Sequence, residues 1–250
     1  MIILKSRNEL EKMWKAGQVV AQVHEWLREA LRPGITTRQL DELAETKLRE
    51  LGAIPSFLGY GGFPGSACIS VNEEVVHGIP GDRVLEEGDI VSIDVGGIVD
   101  GYHGDAARTW PVGEVSEEAQ RLIADTEAAL ELAIEQARIG NRLSDIGAAV
   151  QTYAEARGYG VVRDFVGHGI GRSMHEAPQI PNYGLPGRGP RLKAGMTLAI
   201  EPMLNLGTHK VRVLENKWTV VTEDGALSAH YEDTVAITVD GPWILTRLKS

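Results

Sequence analysis

The sequence predicts an α/β fold made of two similar halves that meet at a central site. Two observations favour this fold: amphipathic helical segments alternate with short apolar runs of β character, and one helix-then-strand unit recurs later in the chain. At 250 residues the chain is long enough to bury one substantial core. We therefore expect a single domain over residues 1–250, with halves of approximately 1–113 and 114–250.

Two helices and the first strands account for the beginning of the chain. Apolar residues at helical spacing predict a helix over residues 8–31, and a capping threonine opens a second helix that reaches about residue 51. Residues 57–64 are rich in glycine and aromatic side chains and are expected to form an ordered loop. Residues 67–76 and 89–95 have the apolar, β-branched character of strands.

A hairpin and two further helices follow. Asp100-Gly101 is a hairpin turn signal that joins β-like runs at residues 98–102 and 106–112. Residues 116–137, which open with a serine and two acids, predict a third helix, and residues 144–157 a fourth. The rest of the chain is expected to be strands and loops, with the last strands at residues 234–239 and 243–248.

An internal repeat at a spacing of about 106 residues supports the two halves. Residues 34–52 and 140–158 each enclose an amphipathic helix between glycines, and residues 88–94 and 195–201 each run from a glycine through an apolar strand to an acid. The similarity is either chance between two ordinary αβ units or the mark of a pseudo-twofold. We prefer the pseudo-twofold, because a duplicated strand would place symmetric acids about one axis.

Composition and charge exclude several classes of function. The net charge of −10 argues against a specific nucleic-acid surface, and the single cysteine, Cys68, excludes a disulfide framework and a Cys-rich zinc module. The first residues lack the apolar core and cleavage site of a secretory signal, and the chain lacks an apolar run of about 18 residues. We expect a cytoplasmic protein without a membrane partner.

Four acids and one histidine form the most informative pattern in the chain. They lie in short β-like or glycine-rich stretches and are Asp94, Asp105, His168, Glu201 and Glu232. Isolated carboxylates are costly to bury, and a shared pair of divalent cations would neutralise them together. This ligand set suits Co, Mn, Fe or Zn without selecting among them. The alternative is that each acid is a solvated residue at the end of a strand.

Asp94 and Asp105 are the acids with the clearest spatial relation. They stand 11 positions apart on either side of the Asp100-Gly101 turn, which folds the two strands antiparallel. Inward-facing residues of paired strands are about 5 Å apart, so we expect the turn to bring the two carboxylates near each other. Two acids at that distance would not both ionise at neutral pH without a cation.

The histidines differ in their surroundings. Glycines flank His168 on both sides, and we expect them to clear space for an ion or a substrate. His175 follows seven positions later and His77 lies in a similar His-Gly-Ile context, so both are expected to serve another purpose than His168. Neutral imidazoles can donate or accept hydrogen bonds as catalysis requires. A lone histidine is also common as a core or surface group.

Together these motifs resemble one family. The five residues, with G-Y-H-G-D-A-A-R-T, G-H-G-I-G, M-H-E-A-P-Q-I and E-P-M, resemble methionine aminopeptidase of type I over essentially the whole chain. The resemblance implies a pita-bread fold, in which two pseudo-twofold halves form a curved, largely antiparallel sheet covered by helices. It also implies removal of the initiator methionine from nascent chains whose second residue is small. The absence of a long insertion between Glu201 and Glu232 favours the short bacterial form over type II.

The resemblance implies a role for each matching residue. Asp94 and Asp105 would hold one of two divalent ions, and Asp105, His168, Glu201 and Glu232 the other, with water activated between the ions attacking the first peptide bond. Glu201 would carry the proton, and His77 and His175 would contact the substrate and the tetrahedral intermediate. The methionine pocket is assigned to Phe57, Tyr60, Phe63, Cys68, Met174 and Trp218. At Phe57 many bacterial members have a cysteine, so the phenylalanine is expected to narrow the pocket.

The resemblance also implies partners and rivals. The expected partners are nascent polypeptide N-termini, with transient ribosome contact, and the expected state is a monomer. Prolidase and aminopeptidase P share the five ligands but usually carry an extra N-terminal domain. Creatinase-like hydrolases share the fold without the ligands. A rival of another class is a non-catalytic pita-bread module that binds protein or RNA, which typically has lost ligands.

Overall fold

An antiparallel β-sheet with helices packed against it forms the body of the protein. The structure is a computed structural model that describes residues 1–248. Within this range there are four α-helices: α1 (Arg7–Ala30), α2 (Thr37–Glu50), α3 (Glu117–Gln136) and α4 (Leu143–Glu155). All four predicted helices are confirmed, with ends within two residues of the predicted ones.

Fifteen short and long strands occur in the described residues. In chain order they are β1 (Ile54–Pro55), β2 (Ala67–Val71), β3 (Glu74–Val76), β4 (Ile90–Val99), β5 (Tyr102–Pro111), β6 (Gly160–Val161), β7 (Gly167–Gly169), β8 (Glu176–Ile180), β9 (Thr197–Ile200), β10 (Met203–Asn205), β11 (Val211–Val213), β12 (Val220–Thr222), β13 (Ser228–His230), β14 (Glu232–Thr238) and β15 (Gly241–Ile244). A 3₁₀ turn at Tyr60–Gly62 lies in the predicted loop.

Local side-chain chemistry explains where the helices begin. Ser6 accepts from the backbone N–H of Glu9, whose carboxylate accepts in turn from the Ser6 backbone, and Thr36 forms the same reciprocal pair with Gln39. Such capping boxes satisfy amide groups that the first turn leaves without partners. Ser116 caps α3 by accepting from the N–H of Ala119. The starts predicted from serine and threonine therefore have a direct physical basis.

The main sheet joins strands from both ends of the chain. Among the described residues its path is β1-β4-β5-β14-β9-β7-β8, with β2 paired to β4 and β15 to β14. Every pairing in it is antiparallel. At its centre β5 meets β14, where Ala107 pairs with Glu232. Strands from the early and late parts of the sequence thus lie side by side.

Two hydrophobic clusters hold the helices to the sheet. Val20 of α1 and Leu40 of α2 pack in one cluster with Ile93 of β4, whereas the other joins α3 and α4 to the late strands and includes Leu130. These side chains are fully buried, and each one contributes about 1.5–3 kcal/mol by leaving water. The division into halves of approximately 1–113 and 114–250 stays a prediction. The end of the second half, at residue 250, lies outside the described residues.

Several predicted strands have different bounds. The segment 67–76 is two strands rather than one, because Asn72 adopts a left-handed φ of 57° that ends β2. The strand expected at 89–95 continues to Val99, and the turn is confined to Asp100 and Gly101, whose φ values are 51° and 79°. The last strand is Gly241–Ile244, so the prediction of a strand at 243–248 is wrong beyond Ile244. In the described part of the chain, no helix combines the length and apolar character needed to cross a membrane.

Candidate metal centre

Five neighbouring strands of the main sheet each bring one predicted ligand to the same place. Asp94 lies on β4, Asp105 on β5, Glu232 at the start of β14 and His168 on β7, and Glu201 follows the last residue of β9. Because these strands are adjacent in the order β4-β5-β14-β9-β7, the side chains converge although the sequence spreads them widely. All five line one cavity of about 190 Å³.

The hairpin register makes the first two acids diagonal neighbours. A two-residue turn pairs Val99 with Tyr102, which sets Asp94 opposite Ala107 and Asp105 opposite Gly96. The two acids are therefore offset by two positions along the paired strands, and the turn brings them near each other as predicted. They still share a face of the sheet, because side chains alternate with a period of two. The two carboxyl groups are close enough for each to influence the pKa of the other.

His168 faces three carboxylates. Its Nε2 is 3.8 Å from Oδ2 of Asp105, 3.7 Å from Oε1 of Glu201 and 4.0 Å from Oε1 of Glu232. The other ring nitrogen, Nδ1, lies 2.9 Å from the carbonyl oxygen of Gly169 and must donate to it. In the neutral ring, Nε2 consequently presents a lone pair to the acids. Oxygen and nitrogen lone pairs at this spacing surround a cation rather than bond one another.

Burial makes the cluster electrostatically unfavourable without a cation. It raises the pKa of Asp94 to about 7 and that of Glu201 to about 8. The pKa values of Asp105 and Glu232 are also raised well above their ordinary values, first because both are buried and then because other carboxylates are close. Burial lowers the pKa of His168 to about 4, so the ring is neutral at pH 7.

The polar atoms of the cluster fit a metal. Within residues 1–248, Oδ1 of Asp94, Oδ1 of Asp105 and Oε1 of Glu232 are buried without a hydrogen-bond partner. Ligand atoms of Asp105, His168 and Glu232 all lie within 4.8 Å of one another, as atoms bound to one ion at about 2.0–2.3 Å would. Divalent cations would satisfy these atoms and remove the repulsion.

The pKa values predict how pH affects the stability of metal-free protein. Asp94 and Glu201 titrate near 7 and 8 in the folded state, whereas unfolded carboxyls titrate near 4. The folded state therefore retains protons that the unfolded state has released, and its stability falls as pH rises through those values. Below about pH 6.5 the histidines oppose this trend, because burial lowers the pKa of His77, His168 and His230 to about 4.

We expect metal-free protein to unfold more easily at about pH 8.5 than at about pH 6.5, by about 1.4 kcal/mol per pH unit for each retained proton. Saturating metal should invert the trend, because ligands must be deprotonated to bind it. Urea unfolding at the two pH values, with and without metal, measures both. Metal-free protein that is more stable at the higher pH would contradict the assignment of a carboxylate cluster.

The glycines around His168 have another purpose than the predicted one. A Cβ on Gly167 would lie 2.4 Å from the carbonyl oxygen of Ala199, and one on Gly169 would lie 2.2 Å from that of Ala177. Both contacts are with neighbouring backbone and not with the cavity. The prediction that they clear space for an ion or a substrate is therefore wrong. They allow β7 to fit tightly between β8 and β9, which sets the position of His168.

His77 and His175 lie at the cavity without joining the cluster of acids. His77 has a left-handed φ of 59°, a strained conformation for a residue with a Cβ, and its ring meets Phe165 edge-on at 5.6 Å. The ring of His175 lies 4.3 Å from that of His168, and its Nδ1 is 2.7 Å from the hydroxyl oxygen of Tyr60. Burial lowers the pKa of both histidines, to about 4 for His77.

All six residues predicted for the pocket line the cavity. Phe57, Phe63, Cys68 and Met174 pack as one buried cluster, with Trp218 against it at 5.2 Å between the Phe63 and Trp218 ring centres. Tyr60 is more exposed and stands at the rim. The apolar wall begins directly beside the acids, because Cys68 on β2 pairs with Asp94 on β4.

Sequence reasoning missed residues that complete the site. Phe165 lines the cavity beside His77, and His230 places Nε2 at 3.4 Å from Oε2 of Glu201. His230 stands two positions before Glu232, a spacing that in a strand indicates a shared face and could have identified it. The residue after Glu232 fixes its position in the strand. Asp233 is fully buried, and its two carboxylate oxygens lie 2.6 Å from a guanidinium nitrogen of Arg108 and 2.7 Å from one of Arg247.

Comparison with known proteins identifies the family. The profile of metallopeptidase family M24 matches residues 11–239, which include all five predicted ligands. The chain belongs to metallopeptidase family M24. The carboxylate and histidine cluster is thus the expected feature of a metal-dependent hydrolase.

Individual relatives match over the whole length. A methionine aminopeptidase of Clostridium acetobutylicum is 58% identical over 98% of this chain and 99% of its own, and methionine aminopeptidase 1 of Bacillus subtilis is 54% identical over 99% and 100%. The crystal structure of methionine aminopeptidase from Thermotoga maritima superposes with a TM-score of 0.98 at 48% identity, covering 99% of this chain and 100% of that one. The predicted resemblance and the pita-bread fold are confirmed.

Proposed function

We propose that this protein removes the N-terminal methionine from nascent polypeptides whose second residue is small. One observation carries the proposal: two buried acids, two partly buried acids and a histidine line the same apolar, aromatic cavity of about 190 Å³. Hydrolysis of the peptide bond after a methionine requires metal ligands at that bond and an adjoining pocket that fits the thioether side chain. Full-length relatives named methionine aminopeptidase support the same activity.

The metal proposal is two divalent ions, each Co, Mn, Fe or Zn. Asp94 and Asp105 would hold one, and Asp105, His168, Glu201 and Glu232 the other, with Asp105 and Glu232 shared. When bound, such a pair supplies Lewis acidity and water that deprotonates near neutral pH. The unpartnered oxygens of Asp94, Asp105 and Glu232 support this division, because each needs a cation or a donor in the cavity.

The protein's own residues would handle the proton and the substrate. Glu201 would accept the proton of the attacking water and return it to the leaving amine. The hydroxyl of Tyr60 would donate to Nδ1 of His175, which leaves Nε2–H of that ring to stabilise the developing oxyanion. His77 would contact the substrate from the other wall.

Specificity would come from the aromatic wall. Methionine is flexible and polarisable and adapts to aromatic surfaces, whereas β-branched and charged side chains would not fit among Phe57, Phe63 and Trp218. One methylene in an apolar pocket is worth about 1–3 kcal/mol, so discrimination against leucine or norleucine should be partial. Selection at the second residue would be steric and would favour Gly, Ala and Ser.

Phe57→Cys is expected to widen the pocket and relax this selection. Phe57 is buried against Gly96, where a Cβ would lie 2.9 Å from its ring, so its position is tightly set. Values of kcat/KM for a panel of Xaa-Ala-Ser and Met-Xaa-Ser peptides measure the effect. Ratios identical to those of the wild type would mean that Phe57 does not define the pocket.

The biological setting follows from the substrate. Nascent polypeptide N-termini emerge in the cytoplasm, so we place the protein there, acting as a monomer with transient ribosome contact. Its one cysteine, Cys68, is a buried free thiol, in keeping with a reducing compartment.

Release of methionine from Met-Ala-Ser, compared with cleavage of Xaa-Pro peptides, tests the proposal. We expect metal-dependent cleavage of the first and little of the second. The reverse preference would favour a prolidase-like activity, and cleavage of Leu-, Lys- and Met-peptides at equal rates would favour a broad aminopeptidase. Absence of both activities in metal-loaded protein would favour a binding module.

A further inference from the structure

The two carboxylate oxygens of Glu201 face different imidazoles. Oε1 is 3.7 Å from Nε2 of His168, within the predicted metal centre, whereas Oε2 is 3.4 Å from Nε2 of His230. His230 has no place among the predicted ligands or substrate contacts. The residue opposite it on β10 is Met203, two positions after Glu201, so β13 carries the ring to the flank of that carboxylate.

The backbone of His230 is held from both sides. Its N–H donates to Oγ1 of Thr109 at 3.0 Å, and its carbonyl oxygen accepts from the same hydroxyl group at 2.7 Å. Thr109 is in turn 2.8 Å from the hydroxyl of Ser92 on β4. The ring therefore projects from a fixed point next to β5 and β10, and the residue is 1% exposed.

The ring nitrogen that faces Glu201 is otherwise unpartnered. Among residues 1–248, Nε2 of His230 has no hydrogen-bond partner although it is buried. Buried polar groups are rarely left in this state, because the loss of hydration is not compensated. In the described residues, the carboxylate oxygen nearest to this nitrogen is Oε2 of Glu201, at 3.4 Å. This separation is longer than the usual value of about 2.9–3.0 Å, and such contacts are often long without substrate.

We propose that His230 is a positioning residue, whose Nε2–H donates to Oε2 of Glu201 and so directs Oε1 towards the metal centre. The backbone of Glu201 is fixed independently, since its carbonyl oxygen accepts from Nδ2 of Asn182 at 2.9 Å. The side chain of Glu201 can still rotate, and a donor at Oε2 restricts that rotation. The donor exists in the Nε2-protonated neutral ring and in the charged ring alike. This role rests on the proposed function in so far as Glu201 is the base.

A competing arrangement makes His230 a metal ligand. Atoms of Glu201, His230 and Glu232 lie within 4.8 Å of one another, which is close enough to hold an ion. The two arrangements differ in metal content. A positioning residue can be replaced without loss of a bound ion, and its replacement by another hydrogen-bond donor restores function.

The experiment compares His230→Leu with His230→Gln in the full-length protein. The two replacements have similar volumes, but only glutamine keeps an N–H donor. With Met-Ala-Ser as substrate, we expect leucine to lower kcat about ten- to a hundredfold with KM nearly unchanged, and glutamine to recover most of kcat. Cobalt equivalents should match the wild type in both. The visible spectrum of cobalt-loaded protein should change with leucine and return with glutamine.

The cobalt spectrum separates this proposal from the proposed function. If the wild type releases no methionine, the function fails, and the spectra of the two variants still decide the role of His230. A variant that loses one cobalt equivalent would make His230 a ligand and overturn the proposal. Wild-type kcat and spectrum in His230→Leu, or equal defects with leucine and glutamine, would also overturn it.

A matched control addresses folding. His24 on α1 is buried too, and its Nε2 contacts the carbonyl oxygen of Ala106 at 2.8 Å. His24→Leu removes a comparable imidazole without touching Glu201, and it should lower the unfolding temperature while leaving kcat and the cobalt spectrum as in the wild type. His230→Leu that only lowered the unfolding temperature in the same way would reduce His230 to a core residue.

Discussion

Glu201→Gln is expected to lower kcat by about 10²–10⁴-fold with a much smaller change in KM. Glutamine preserves the shape of the side chain and an oxygen that can bind metal, but it cannot accept a proton from water. Because Glu201 follows the fully buried strand β9 and its carbonyl oxygen is held by Asn182, the substitution should not move the backbone. Steady-state kinetics with Met-Ala-Ser, paired with metal analysis, measure the effect.

The control for this substitution is Glu215→Gln. Glu215 is exposed on the segment between β11 and β12 and should give wild-type kinetics. A near-normal kcat in Glu201→Gln with full metal content would exclude Glu201 as the base. Loss of metal from that variant would instead assign Glu201 a mainly structural role in binding the ion.

His175→Ala should have the second largest effect, a fall in kcat of about 10²–10³-fold without loss of metal. The ring lies beside His168, with a ring-centre distance of 4.3 Å, yet its Nδ1 pairs with Tyr60 instead of an acid. Such a group can stabilise a developing oxyanion while leaving metal binding to others. Kinetics and metal content of the purified variant check both parts.

Two variants refine the assignment of His175. Tyr60→Phe keeps the aromatic ring but removes the hydroxyl that meets Nδ1, so it should reproduce part of the kcat defect. His77→Ala should be milder, because its ring packs against Phe165 and Trp218 and contacts no acid in the described residues. If either histidine variant loses its metal, that histidine is a ligand, and the proposed role in contacting the substrate or the oxyanion is wrong.

The β4–β5 hairpin shows which features of the fold can be predicted from local sequence. Asp100-Gly101 identifies the turn, and both residues adopt the left-handed φ that such a turn requires. A two-residue turn at these positions pairs Val99 with Tyr102 and hence Asp94 with Ala107, so the register follows from the turn itself. The length of β4 could not be predicted in the same way, because the sequence suggested an end at Val95 and the strand continues to Val99.

The ligand residues of the candidate site could be predicted from the sequence, but the neighbouring residues that hold them in position could not. Each acid stands out because a carboxylate in an apolar strand needs an explanation, and the five residues do converge. The sequence alone does not identify His230, because its contact with Glu201 depends on the pairing of β13 with β10. Likewise, the glycines beside His168 meet the backbone of Ala199 and Ala177, neighbours that only the assembled sheet defines.

The most direct test is a metal titration of protein that has been purified anaerobically and stripped of metal. Methionine release from Met-Ala-Ser and bound metal would be measured on the same samples during addition of Co or Mn. We expect no activity in the metal-free protein and full activity by about two bound equivalents, the number a paired centre needs. Full methionine release by metal-free protein would contradict the account.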